Sequence, residues 1–130
     1  MLYDRFPSLP QDVTLYKILV SSSLPAVYSA IGSLLTDDVY HTLAGESLIQ
    51  IMSRNATKWQ GIKHMLDHFG ILPNEAVYFG DDNDDVQPLA QCGLGIAVAN
   101  AIPAAIQAAD RIADSNDQDG VAKFIETFIL

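Results

Sequence analysis

The stretch Gly80-Asp81-Asp82-Asn83-Asp84-Asp85 places four aspartates within six residues, directly after the apolar run Ala76-Val77-Tyr78-Phe79. Carboxylates this close either lose charge through raised pKa values or gain a counter-ion. A hard divalent cation is the common solution. Mg2+ takes one or two protein carboxylates and completes its shell with water and phosphate oxygens. Spacing sorts the candidates. Asp81 follows the apolar run at once, while Asp84 and Asp85 fall about one turn later, at the opening of the next helical stretch. All three are expected to face one crevice, and Asp82 to point to solvent. An EF-hand is excluded by position: counted from Asp81, Val86 stands where Gly is needed and Cys92 where a bidentate Glu belongs. Capping by Asp84 and the pull of a helix dipole account for part of the cluster, but four aspartates exceed what capping requires.

Those side chains need a scaffold. Downstream of Arg54, Thr57 and Gln60 have the spacing of a capping box. Ile62, Met65, Leu66 and Phe69 then follow the spacing of a helix with one buried face, and Gly70 offers a way out of it. Residues 76–79 read as a short buried strand. Asp84 and Gln87 are spaced to cap a short helix that ends at Gly93. Residues 95–99 form a third apolar run, 103–109 a short helix, 111–113 an edge strand and 119–128 a final helix, with Asp119 as its N-cap. Strands alternating with helices imply a parallel sheet flanked by helices. The ligand crevice of such a sheet lies beyond the carboxyl ends of its strands, where Asp81 falls.

Residues 1–53 read differently. Pro7 and Pro10 make residues 1–12 irregular. Residues 15–21 read as a strand, 25–35 as a helix opened by Pro25, and 39–43 and 47–52 as two strands joined at Ala44-Gly45-Glu46. The fold class is α/β, with a small α+β unit over 1–53 ahead of an α/β unit over 54–130.

Composition narrows the partners. The chain has 130 residues, 49% of them apolar and 18% charged, which is a globular make-up. A net charge of −9 argues against a nucleic-acid backbone or an anionic membrane surface and suits a bound cation. No apolar run approaches the ~20 residues of a membrane helix, and the start of the chain lacks a signal-peptide pattern. The lone Cys92 makes no internal disulfide, so a cytoplasmic location is expected. His41, His64 and His68 show no metal-binding spacing around Cys92. His64 and His68 lie four residues apart without an evident third ligand, and Trp59 is expected to pack.

The segment VYFGDDNDDVQPLAQCGLGIAVANA resembles the fourth motif of the haloacid dehalogenase-like hydrolases, in their Cof-type phosphatase branch. Upstream, RNATKWQGIKHMLDHFGI is similar to the third motif, and AADRIADSNDQDGVAKFIE to the closing segment. The likeness runs nearly without interruption from about residue 47 to residue 130, in the family's order. It implies the C-terminal half of a Rossmann-like core over 54–130, with residues 13–52 resembling the end of the family's cap domain. It implies Mg2+ as cofactor, Asp81 as metal ligand, and Asp85 at or just behind the metal. Lys58 becomes the lysine that balances the nucleophile's charge and contacts the transferred phosphoryl oxygens, a task suited to a compact ammonium. Asp84 stands where the family usually has Asn, a contact to phosphate or substrate. A carboxylate cannot donate an amide hydrogen bond there.

The family's first motif, Asp-x-Asp-Gly-Thr, carries the nucleophile. Asp117-Gln118-Asp119-Gly120-Val121 mimics it, but it follows the polar, turn-like Ala113-Asp114-Ser115-Asn116 instead of a buried strand. The expectation is therefore the C-terminal part of a Mg2+-dependent phosphatase of small phosphorylated metabolites, working through an aspartyl-phosphate and inactive as this chain alone. The alternative is a non-catalytic module that forms a homodimer or docks on the missing N-terminal half.

Overall fold

A computed structural model describes residues 16–130. The irregular segment expected over 1–12, and Leu15 of the first expected strand, lie outside the described residues.

The first unit is strand β1 (Ile18–Ser21), helix α1 (Pro25–Leu34), strand β2 (Val39–Ala44) and strand β3 (Leu48–Ser53). The strands form an antiparallel sheet in the order β1-β3-β2. Gly45, at φ 60°, makes the tight link between β2 and β3. The register pairs His41 with Ile51 and Leu43 with Ile49, so these four share one face. Helix α1 covers that face: the Tyr28 and His41 rings lie 4.2 Å apart, and a Cβ on Gly32 would stand 2.8 Å from His41 Cε1. Ile49 beneath them is fully buried.

The second unit contains helix α2 (Lys58–Phe69), strand β4 (Val77–Gly80), helix α3 (Val86–Gln91), strand β5 (Leu94–Val98), helix α4 (Pro103–Ala108), strand β6 (Arg111–Ala113) and helix α5 (Gly120–Phe128). Its sheet is parallel, in the order β4-β5-β6. Phe124 of α5 packs on Ile96 and Ala113, with Phe79 edge-on at 5.8 Å. Burying such an aromatic contributes roughly 2–3 kcal/mol. Helix α3 lies on the opposite face, so close that a Cβ on Gly95 would sit 2.0 Å from the Leu89 carbonyl oxygen. Helices thus flank the parallel sheet on both faces, as the alternating pattern implies.

Four local expectations need correction. Thr57 Oγ1 accepts the Gln60 N–H at 3.2 Å, but no return bond from the Gln60 side chain forms among the described residues. Only Leu66 of the apolar stripe on α2 is buried; Met65 is 53% and Phe69 68% exposed. The reason is topological: among the described residues β4 pairs with β5 alone, and no further strand extends the sheet on its other side. Asp119 precedes α5 in the left-handed region, φ 57°, and its side chain caps nothing; Ser115 Oγ caps the preceding 3-10 turn instead. The aspartate assigned to cap α3 is also wrong, and that correction bears on the site.

Candidate active site

Strand β4 ends at Gly80, and the chain turns through Asp81–Asp85 into α3. Asp82, expected in solvent, is half-buried and caps this turn. Its carboxylate accepts the Asn83 N–H at 2.7 Å, while Asp85 Oδ2 accepts the Asp82 N–H at 3.1 Å. The reciprocal cap is therefore Asp82 with Asp85, and not Asp84 with Gln87. A 3-10 turn over Asn83–Asp85 shifts the helix start to Val86, which moves the capping register upstream.

Asp85 is the centre of the site. It is 2% exposed, and four donors fill its two oxygens. Lys58 Nζ at 2.5 Å and Tyr78 Oη at 2.7 Å donate to Oδ1; the Asp81 and Asp82 N–H groups, at 3.0 and 3.1 Å, donate to Oδ2. Burial alone would raise its pKa, but these hydrogen bonds, led by Lys58, hold the carboxyl down at about 2. Burial and the bond to Asp85 push the Tyr78 phenol up, so it stays a donor at neutral pH.

Gly80 is what lets Asp85 fold back beneath the strand end. A Cβ there would lie 2.6 Å from Asp85 Cβ and 3.0 Å from its Cγ. Lys58, at the first turn of α2, reaches in with its side chain 48% exposed.

The other expected site residues fall around this centre. Asp81 is exposed beyond the end of β4, and its carbonyl accepts the Ile102 N–H at 2.9 Å. Loss of hydration, then the negative charges of Asp85 and Asp82, raise its pKa, with Lys58 opposing. Asp84 is half-buried, and after burial its charge is the second cause that raises the pKa of Tyr40 on β2. Exposure thus grades the turn: Asp85 is buried, Asp84 half-buried and Asp81 exposed. His64 and His68 are exposed on α2, and His68 packs edge-on to Phe69 at 5.0 Å. Trp59 is half-buried. Cys92 is buried at the end of α3, and burial raises its thiol pKa.

Two residues of the site escape a sequence reading. Tyr78 looks like one more apolar strand residue; its only signal is a hydroxyl two residues before the loop. Asn83 fills a variable position of the motif, yet its amide donates to the Leu43 carbonyl at 2.7 Å, tying the acidic turn to the edge strand β2 across 40 residues of sequence.

The sequence profile of the haloacid dehalogenase-like hydrolases matches residues 4–125. The chain belongs to that family. Its relatives include two 5-amino-6-(5-phospho-D-ribitylamino)uracil phosphatases. YitU of Bacillus subtilis is 29% identical over 128 residues, covering 96% of this chain and 47% of the relative. YbjI of Escherichia coli is 29% identical over 124 residues, covering 95% and 46%. A haloacid dehalogenase-like hydrolase from B. subtilis superposes with a TM-score of 0.80 at 27% identity, over 88% of this chain and 41% of that one. Another, from Bacteroides thetaiotaomicron, superposes with a TM-score of 0.75 at 26% identity, over 95% and 48%. The chain spans about half the length, or less, of the curated relatives it matches. The parallel sheet with flanking helices is the fold of these hydrolases, and the relatives place the chain among their Cof-type phosphatases. No described helix is long and apolar enough to cross a membrane.

The acidic turn fits Mg2+ through one ligand more readily than through two. Asp81 is exposed and carries like charge that Lys58 only partly offsets, whereas every acceptor site of Asp85 is already used. Among the described residues, no three His, Cys, Asp or Glu side chains gather in a metal-binding cluster. One carboxylate still suffices for Mg2+ when phosphate and water fill the remaining positions.

Proposed function

We propose that this chain supplies the lysine and the metal-binding acid of a Mg2+-dependent phosphatase that hydrolyses small phosphorylated metabolites. The observation that carries the reading is the Lys58–Asp85 pair, held at 2.5 Å beneath the strand end that presents Asp81. In this reading Asp81 holds Mg2+ beyond the end of β4. Lys58 directs its remaining N–H bonds at the transferred phosphoryl oxygens. Asp85 is a positioning residue: it fixes the ammonium on one oxygen and the backbone that carries Asp81 on the other. Mg2+, when bound, neutralises charge on the transferring group and orients it. The nucleophile that forms the aspartyl-phosphate comes from outside this sequence, a covalent route that splits hydrolysis into two easier steps. The ribitylamino-uracil phosphatases among the relatives suggest a phosphorylated polyol or sugar as substrate.

The isolated chain is expected to hydrolyse no p-nitrophenyl phosphate with or without Mg2+. Mg2+-dependent turnover that disappears in Asp81→Ala would overturn the assignment of the nucleophile to another segment. Failure of Mg2+ and inorganic phosphate to perturb the Lys58 and Asp81 resonances would overturn the site itself.

A second reading draws on the edge of β4 that no strand pairs among the described residues and on the exposed Met65 and Phe69 of α2. An open strand edge with apolar flanks favours association. In this reading the chain is a module that dimerises or docks on a segment bearing the missing motif. Light scattering after size exclusion decides it: a clean monomer at high concentration rules out the dimer.

A further inference from the structure

We propose that Asn100 is a positioning residue for Asp81, acting through the turn between β5 and α4. The proposal deepens the phosphatase reading and rests on it, because it gives a second support to the acid that holds Mg2+ there. The first support is Asp85, which accepts the Asp81 N–H at 3.0 Å. The second lies on the other side of the same residue: the Asp81 carbonyl accepts the Ile102 N–H at 2.9 Å. Whatever fixes Ile102 therefore fixes the backbone of Asp81.

Ile102 belongs to a short connection. Strand β5 ends at Val98 and α4 begins at Pro103. The Ala101 N–H donates to the Val98 carbonyl at 2.9 Å, which closes a tight turn. Asn100 stands inside that turn, and its side chain reaches the connection between β6 and α5. Its Nδ2 donates to Asn116 Oδ1 at 2.9 Å. Its Oδ1 accepts the Ser115 hydroxyl at 3.1 Å and the Asn116 N–H at 3.3 Å. A carboxylate in its place could accept both bonds but give none back. Ser115 suits its part. Its oxygen accepts the Asp117 N–H at 3.2 Å, which leaves the hydroxyl hydrogen to donate. Asn100 Oδ1 is a nearer acceptor for that hydrogen than Asn116 Oδ1 or Asp117 Oδ2, both at 3.5 Å.

The receiving turn is held by its own bonds. The Gln118 and Gly120 N–H groups both donate to the Ser115 carbonyl, at 2.9 and 3.0 Å. Asp119 sits at φ 57°, and a Cβ on Gly120 would collide with the Asp114 carbonyl oxygen. The stretch that imitates the nucleophile motif thus folds as part of an anchor. Three turns at the carboxyl end of the parallel sheet are joined in a row. The turn after β6 holds Asn100, the turn after β5 holds the Asp81 carbonyl, and the turn after β4 presents Asp81. Asn100 is exposed, so its bonds compete with water and add little to overall stability. Their effect falls on the placement of the acid.

The test uses the full chain and two readouts: hydrogen exchange at the Ile102 amide without metal, and calorimetric titration with MgCl2. In Asn100→Ala the Ile102 amide is expected to exchange about threefold faster or more. Mg2+ should bind about threefold more weakly, the worth of roughly one hydrogen bond. Ser115→Ala should weaken Mg2+ in the same direction, and Ser115→Thr, which keeps the hydroxyl, should not. Asn100→Ala combined with Ser115→Ala should lose less than the product of the two single losses, because both cut one linkage. Phe124→Leu separates positioning from stability: it should lower the urea midpoint and leave the Mg2+ affinity of the folded chain unchanged. An unchanged Ile102 exchange in Asn100→Ala, or an equal loss of affinity in Phe124→Leu, would overturn the proposal. Asp81→Asn keeps the two readings apart. If it weakens Mg2+ binding while Asn100→Ala does not, the metal site stands and the positioning role falls. If Asp81→Asn binds Mg2+ like the unsubstituted chain, the metal site falls and the positioning role with it.

Discussion

The Lys58 ammonium and the Tyr78 hydroxyl converge on one oxygen, Oδ1 of Asp85, at 2.5 and 2.7 Å, while backbone N–H groups of the acidic turn occupy the other. The arrangement turns the most buried aspartate among the described residues into an anchor. A carboxylate with four donors is fixed in place, and whatever it grips is fixed with it. Asp85→Asn keeps the shape but loses the charge, and its amide must present hydrogens toward donors. Breaking a buried, fully bonded carboxylate in this way is expected to cost about 2–4 kcal/mol, read as a lower urea midpoint. Lys58→Met leaves three donors on Asp85 and removes a half-exposed ammonium, so its cost should be smaller, about 1–2 kcal/mol. The reverse order of the two losses would show that the lysine, and not the carboxylate, organises the site.

Acid should unlock the same anchor. The folded-state pKa of Asp85 is lowered from 3.8 to about 2. A depressed carboxyl pKa adds stability that is fully present above the unfolded value and is lost as pH falls through the folded one. The contribution is about 2 kcal/mol, and the window runs from about pH 4 down to pH 2. Asp81 has the opposite sign: its raised pKa favours protonation in the fold and offsets part of the loss. Urea midpoints taken across this range without added metal should fall more steeply for the unsubstituted chain than for Asp85→Asn. Parallel acid limbs would show that Asp85 titrates alike in the folded and unfolded chain.

The exposed aspartate should behave in the contrary way. Asp81→Asn removes one charge from a crowded set, so stability should hold or rise by up to about 1 kcal/mol. Mg2+ affinity should fall by about tenfold or more, equal to about 1.4 kcal/mol. Isothermal titration calorimetry with MgCl2 alone separates the two effects. Unchanged affinity would place the cation elsewhere.

Much of this arrangement is legible in the sequence because it rests on local, directional rules. The apolar run ahead of Asp81 and the alternation of strands and helices put the acid at the mouth of a parallel sheet. Lys58 enters the site only through the family resemblance, and the structure bonds it to Asp85 across 27 residues of sequence. What escapes the sequence is set by tertiary geometry. A 3-10 turn moves the cap from Asp84 to Asp82, a shift that hydrophobic periodicity cannot detect. Tyr78 and Phe79 are alike by composition, yet Phe79 joins the core with Phe124 while Tyr78 turns its hydroxyl to Asp85. Asn83 meets a carbonyl of a strand 40 residues earlier, which no local pattern encodes. The stripe on α2 has the right spacing, but burial needs a partner surface, and Met65 and Phe69 lack one among the described residues.

The narrowest constraint on the site is Gly80. Its backbone needs no left-handed conformation; what it needs is space, because Asp85 lies where a side chain would begin. In Gly80→Ala the new Cβ would approach Asp85 Cβ to 2.6 Å and Tyr78 Cε1 to 3.2 Å. Neither neighbour yields easily, since Asp85 is held by four hydrogen bonds and Tyr78 by its strand. Relief requires the acidic turn to move away from β4, which stretches the bonds from the Asp81 and Asp82 amides. A loss of about 1–3 kcal/mol in stability is expected, typical of overpacking a tight site. The same movement should weaken Mg2+ binding although no ligand has changed, by about tenfold, the lower end of the effect of removing a supporting partner. An alanine that leaves both the urea midpoint and the Mg2+ affinity unchanged would mean that the carboxylate of Asp85 does not lie beneath the end of β4.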